Sequence, residues 1–244
     1  MENGAGKIYK VWPKTTRFFH WVNVFTLFAL LVVGLIIYNG GAFKFGVEAR
    51  IMLKTVHVMI GYIFVLNLIL RLAFGFIGNK HARFSAFLPF QKGFITCLKD
   101  YWAAYSTPKP IQYLGHNPMG RLAITAMFIL LILQAVSGIV LAGTDIFFPP
   151  FGNYFAEMVA ASGVNPADVV PYNKELVDPE MVKEMRAIRS PFIEIHKFGL
   201  YALPTLIVIH VASVIATEVK HGGGIISAMF TGNKSFKDDP VDKD

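Results

Sequence analysis

The sequence predicts an all-α integral membrane protein, a four-helix transmembrane bundle with interfacial helices. Hydrophobic residues make up 54% of the 244 positions and charged residues 16%, against about a quarter charged in ordinary soluble domains. Four apolar runs are each long enough to cross hydrocarbon about 30 Å thick, which takes about 20 residues. The net charge of +7 does not point to nucleic acid. Lys and Arg gather at the ends of the apolar runs, as a topology signal requires, and form no stripe with stacking aromatics.

The first span covers residues 18–38, "FFHWVNVFTLFALLVVGLIIY". It is longer than a signal-peptide core and lacks a small-residue cleavage site, so a retained helix is expected. The second covers 55–77, the third 122–143 and the fourth 192–217, all within one membrane domain spanning 1–244. Lys7, Lys10, Lys14 and Arg17 precede the first span. Lys80, Arg83, Lys92, Lys99, Lys109 and Arg121 fill the second connection, and Lys220, Lys234, Lys237 and Lys243 follow the fourth span. The connection 144–191 instead carries Asp145, Glu157, Asp168, Glu175, Asp178, Glu180 and Glu184 against four Lys or Arg. The positive-inside rule then puts both ends of the chain in the cytoplasm and 144–191 outside.

Outside the spans, "FQKGFITCLKDYWAAY" mixes aromatics with Lys as an interfacial helix does. "VDPEMVKEMRAIRS" offers Asp178 as N-cap and Pro179 at the first helical position, predicting a short outer helix. The tail 235–244 is expected to be disordered. The one cysteine, Cys97, excludes an internal disulfide, a cysteine-built zinc site and covalent haem attachment through C-x-x-C-H; it reads as a small apolar residue.

His20, His57, His196 and His210 lie within the spans. Ionisable groups at membrane depth are rare and tend to be functional. His196 and His210 are 14 positions apart, which is about 40° short of four turns and about 21 Å along the axis. They face the same way at two depths, so two sites are implied. Depth matching pairs His57 with His196 near the outer surface and His20 with His210 near the inner one. No Cys or carboxylate lies at comparable depth to complete a zinc shell. Haem brings four nitrogens of its own and needs only two axial donors, and its apolar plate suits a four-helix core. Two haem b groups, each bound by two histidines, fit the pattern, and the expected work is electron transfer. Gly34, Gly61, Gly138 and Gly199 could let the plates approach the backbone, although glycine is also common at plain helix contacts. Arg17 and Arg71 are candidates for the inner propionates, Lys54 and Lys197 for the outer ones; snorkelling explains each of these cations at least as well. His81, His116 and His221 are expected at the inner interface as surface histidines.

These residues resemble the bacterial cytochrome b561 superfamily, especially the b-type cytochrome subunit of membrane-bound nickel-iron hydrogenase and the formate dehydrogenase gamma subunit. The matching pieces are "RFFHWVN", "TVHVMIGY", "GHNPMGRLAI" and the fourth-span histidine pair, over roughly residues 8 to 231. The resemblance implies that His20, His57, His196 and His210 ligate two b haems. The long third connection suggests a periplasmic partner surface or a cap over the outer haem.

The expected function is a dihaem conduit between a periplasmic redox partner (a hydrogenase-like oxidoreductase or a cytochrome c) and the quinone pool, with quinone as the expected substrate. His116, Asn117 and Arg121 could serve a quinone, but a helix-entry turn explains "GHNPMG" equally well. A stand-alone superoxide:quinone oxidoreductase is the alternative, and the acidic outer loop argues against it. A non-redox transporter or anchor with proton-relaying histidines is a third.

Overall fold

The computed structural model describes residues 6–107 and 111–243; Lys109, counted above among the inner cations, lies outside them. A short strand β1 (Lys7–Lys10) leads into α1 (Lys14–Tyr38), α2 (Val47–Ile77), α3 (Phe84–Phe87), α4 (Phe94–Ala104) and α5 (Pro118–Ile146). Helix α6 (Gly152–Val159), a 3-10 turn (Pro166–Asp168), α7 (Pro179–His221), α8 (Ile225–Thr231) and β2 (Asn233–Phe236) follow. Among the described residues, helices α1, α2, α5 and α7 are the four that are long and apolar enough to cross a membrane. Large side chains along them, among them Phe25, Phe28, Ile63 and Val208, are exposed, which is what lipid-facing positions require.

Each span begins before its apolar run, and two of the starts carry clear helix-start signals. Helix α5 starts at Pro118, whose missing N–H costs nothing at the first position. Asn117 caps it, accepting a hydrogen bond from Gly120 N at 2.7 Å and donating to the Tyr101 hydroxyl at 2.9 Å. Asn117→Ala is therefore expected to cost about 1 kcal/mol, read as a lower unfolding temperature in detergent. At α7, Asp178 accepts from Glu180 N at 2.8 Å and Met181 N at 3.3 Å, as its sequence predicts. The short outer helix, however, is not separate: α7 runs through Pro191 and Pro204 for 43 residues. Proline inside a helix is tolerated in membrane spans where neighbours satisfy the freed carbonyl. The helix ends at Gly222, whose φ of 65° is the left-handed conformation glycine adopts at this position.

The described residues fall into two compact units, Met1–Val22, Leu68–Ile129 and Leu203–Asp244 in the first and Asn23–Asn67 and Leu130–Ala202 in the second. In the first unit β1 pairs antiparallel with β2, Lys7 opposite Phe236 and Lys10 opposite Asn233. The inward side chains pack with Val11, Trp12, Leu114 and Ala228. Lys234 is buried, donates to Gly115 O at 3.0 Å and Tyr113 O at 3.3 Å, and lies over the Trp12 ring. Burial pushes its pKa down to about 8.

The expectation of a disordered tail from 235 is corrected up to residue 243. Asp239 accepts from Lys7 and Lys243 at 3.0 and 3.1 Å and from the Tyr9 hydroxyl. Asp242 accepts from Gly115 N at 2.8 Å and from Leu114 N. The acidic composition that suggested solvation instead supplies acceptors for lysines and free backbone N–H groups.

In the second unit α6 and the 3-10 turn cover an apolar cluster of Phe155, Ala156, Val159, Val169 and Met185. Asp145, at the end of α5, receives Lys54 from α2 at 2.6 Å and Arg189 from α7. Between α1 and α2, the buried Asn67 donates to Asn23 Oδ1 at 2.8 Å.

Candidate functional site

The four span histidines sort by unit: His57 and His196 lie in the second, His20 and His210 in the first. In the second unit the rings of His57 on α2 and His196 on α7 face each other with centroids 6.2 Å apart and planes at 74°. A metal bonded to one nitrogen of each ring at about 2 Å, with about 1 Å from nitrogen to ring centre on either side, needs about 6 Å. The observed separation meets that requirement without moving either helix.

Glycines seat both rings from the side. A Cβ on Gly34 of α1 would come within 3.3 Å of His57 Cε1, and one on Gly138 of α5 within 3.3 Å of His196 Cε1. Their contacts are thus with imidazole edges. Gly61, one turn beyond His57, faces open space, whereas Gly199 takes the side chain of Gln134. The two rings differ in their outer nitrogens. His196 Nδ1 is 3.0 Å from Ser137 Oγ, whereas His57 Nδ1 is buried with no hydrogen-bond partner.

In the first unit His210 on α7 lies within electrostatic reach of His20 on α1. His20 Nδ1 is also buried and unpartnered, and the Trp21 ring stands edge-on to it at 5.3 Å. Trp21 in turn donates to Met229 O at 3.0 Å and Arg17 to Phe230 O, so α8 fixes the start of α1 beside His20.

The candidate cations are partly committed to the protein. Arg71 is 8% exposed, donates Nη2 to Ala82 O at 3.1 Å and lies over Phe87 and Phe128. Its Nη1, like Arg17 Nε, is buried without a partner. Lys54 is held by Asp145, and Lys197 forms an exposed pair with Glu194 at 3.0 Å.

The structure departs from the expectation of surface histidines at the inner interface. His116 packs on Trp12 at 4.8 Å and on Phe87 at 6.2 Å, with Nδ1 buried and unpartnered. Burial, helped by nearby Lys234, Arg71 and Arg121, pushes its pKa down to about 3. His81 is buried 3.9 Å from Asp242, and burial outweighs that carboxylate in lowering its pKa. His221 is half-buried, with Nε2 3.2 Å from Tyr105 O. All three stand against elements far away in sequence, which no local pattern announces.

Among the described residues no group of three or more His, Cys, Asp or Glu could hold a metal ion. Two facing imidazoles with nothing else in reach suit a metal that brings its own equatorial donors. Haem is such a ligand, and the residues present fit it.

A family model described as prokaryotic cytochrome b561 matches residues 11–232. The chain is 25% identical to a probable Ni/Fe-hydrogenase B-type cytochrome subunit of Rhizobium leguminosarum bv. viciae, over 93% of this chain and 89% of that protein. A protein of the same description from Cupriavidus necator is also 25% identical, over 96% and 91%. A probable Ni/Fe-hydrogenase 1 B-type cytochrome subunit of Escherichia coli is 21% identical, over 93% and 91%. No solved structure matches. With its spans and facing histidines explained together, the chain belongs to the prokaryotic cytochrome b561 family and is a membrane-embedded b-type cytochrome of electron transport.

Proposed function

We propose that the chain is a dihaem cytochrome that passes electrons between a periplasmic redox partner and the quinone pool of the bacterial inner membrane. The observation that carries the reading is the 6.2 Å separation of the His57 and His196 rings. His57 and His196 hold the outer haem and His20 and His210 the inner one. Haem with both axial positions filled by imidazole supplies one-electron transfer and leaves no open site on the iron. Each pair would hold its haem from within a single compact unit. Arg17 Nε and Arg71 Nη1, buried and unpartnered, are the nitrogens available to inner propionates.

A hydrogenase is the favoured partner, on the strength of the relatives' descriptions. The cap built from α6, the 3-10 turn and the first turns of α7 offers it a surface. The charge pattern supports an orientation with β1 and β2 in the cytoplasm. Purified protein should show a reduced-minus-oxidised b-type spectrum with two haems per chain, and a quinol should reduce both or a quinone oxidise both. Protein expressed with ample haem that carries none would overturn the proposal; two haems inert to quinol and quinone would remove its quinone half.

A further inference from the structure

Ser137 lies one residue before the glycine that seats His196, and it is fully buried. Its hydroxyl donates to Leu133 O at 2.7 Å. Serine back-bonding of this kind is ordinary in membrane helices, but it spends the only hydrogen the hydroxyl has. Toward His196 Nδ1, 3.0 Å away, Ser137 can therefore offer only a lone pair. Gln134 O, 3.3 Å away, is a second carbonyl placed to receive the same hydroxyl hydrogen. With the hydroxyl hydrogen directed at these carbonyls, the contact is satisfied when Nδ1 is N–H, which leaves the Nε2 lone pair for a metal.

The opposite ring lacks this arrangement, since His57 Nδ1 is buried with no hydrogen-bond partner. An acceptor on the outer N–H of a ligating imidazole fixes its tautomer and makes it a stronger donor. Stronger donation favours the oxidised, more positive iron, and hydrogen bonding behind an axial ligand is a recognised determinant of haem potential.

We propose that Ser137 is a positioning residue of the outer site, which orients His196 by its Nδ1 proton and holds the outer haem at a lower potential than His196 alone would give. The inference rests on the dihaem reading above. It makes the two axial ligands of one haem electronically unequal: His196 is polarised and His57 is not. The inner haem, whose ligands do not touch Ser137, is outside its influence.

The test is a spectroelectrochemical titration of full-length protein in detergent, with the outer component identified as the one missing from His57→Ala. In Ser137→Ala that component is expected to move to higher potential while the other stays in place. Ser137→Cys, similar in size but a weaker acceptor, is expected to move it part of the way and guards against Ser137→Ala losing the haem. An outer component unmoved in Ser137→Ala, or unmoved in Ser137→Cys should the alanine variant lose its haem, overturns the inference and leaves the dihaem reading standing. Equal movement of both components overturns it as well. A wild-type protein without two components removes the dihaem reading, and the inference with it, before any variant is compared.

Discussion

His57→Ala is expected to halve the haem content of the purified protein, from two per chain to one, with the remaining component keeping its spectrum and potential. The ring it removes is one of two that face each other at 6.2 Å, and no third His, Cys, Asp or Glu stands ready among the described residues to replace it. A haem at this site would be left with His196 as its one ligand and would lose the ring that Gly34 seats. His20 and His210 belong to the other compact unit, which is why their haem should survive. His20→Ala is expected to give the complementary protein. Haem assayed as its pyridine complex against protein concentration reads both results. Loss of both haems from either variant, or of neither, would break the proposed pairing.

Asp145→Ala is expected to destabilise the second unit by about 2–4 kcal/mol. Its carboxylate holds Lys54 of α2 and Arg189 of α7 at once, with side-chain exposures of 18%, 20% and 25% for the three. Removing one partner of a buried ion pair costs about 3–5 kcal/mol, chiefly because the charge left behind is desolvated and unpaired. Here the residual exposure lowers the figure, while two stranded cations raise it. The Arg189 Nε is already buried without a partner, so this guanidinium has little other compensation. Lys54→Met should cost less, because Asp145 keeps Arg189. Unfolding in a graded detergent series measures both; Asp145→Ala as stable as wild type would mean that the charges find water.

The fold was legible where a single helix carries its own signal. Four apolar runs, the flanking cations, Asp178 with Pro179 and the spacing of His196 and His210 are all one-dimensional patterns, and the four observed spans contain the expected ones. The fusion of the outer helix with the fourth span was not legible, because Pro191 reads as a break unless the surroundings of the freed carbonyl are known. The tail was misjudged for a related reason: Asp239 and Asp242 look like solvated charge until Lys7, Tyr9 and the N–H groups of Leu114 and Gly115 are brought beside them. At the site, the residue types and depths of the histidines could be read, but the ring contacts could not. Gly34 and Gly138 read as room for a plate or as plain helix contacts, and the neighbours they meet in the structure are the His57 and His196 rings. Ser137 carried no signal, since its meaning depends on the register of α5 against α7. His116 was placed at the surface because nothing local shows that Trp12 and Phe87 enclose it.

The ribbon of β1 and β2 ties its own closure to the number of membrane crossings between its strands. Its strands come from either side of the four spans and can meet only if they end in the same aqueous compartment, which takes an even number of crossings. A nascent chain that failed to insert one span would leave them on opposite sides of hydrocarbon about 30 Å thick. Lys234 would then lack the Tyr113 and Gly115 carbonyls and Arg17 the Phe230 carbonyl. Such a miscounted chain would expose an unpaired strand and a stranded lysine.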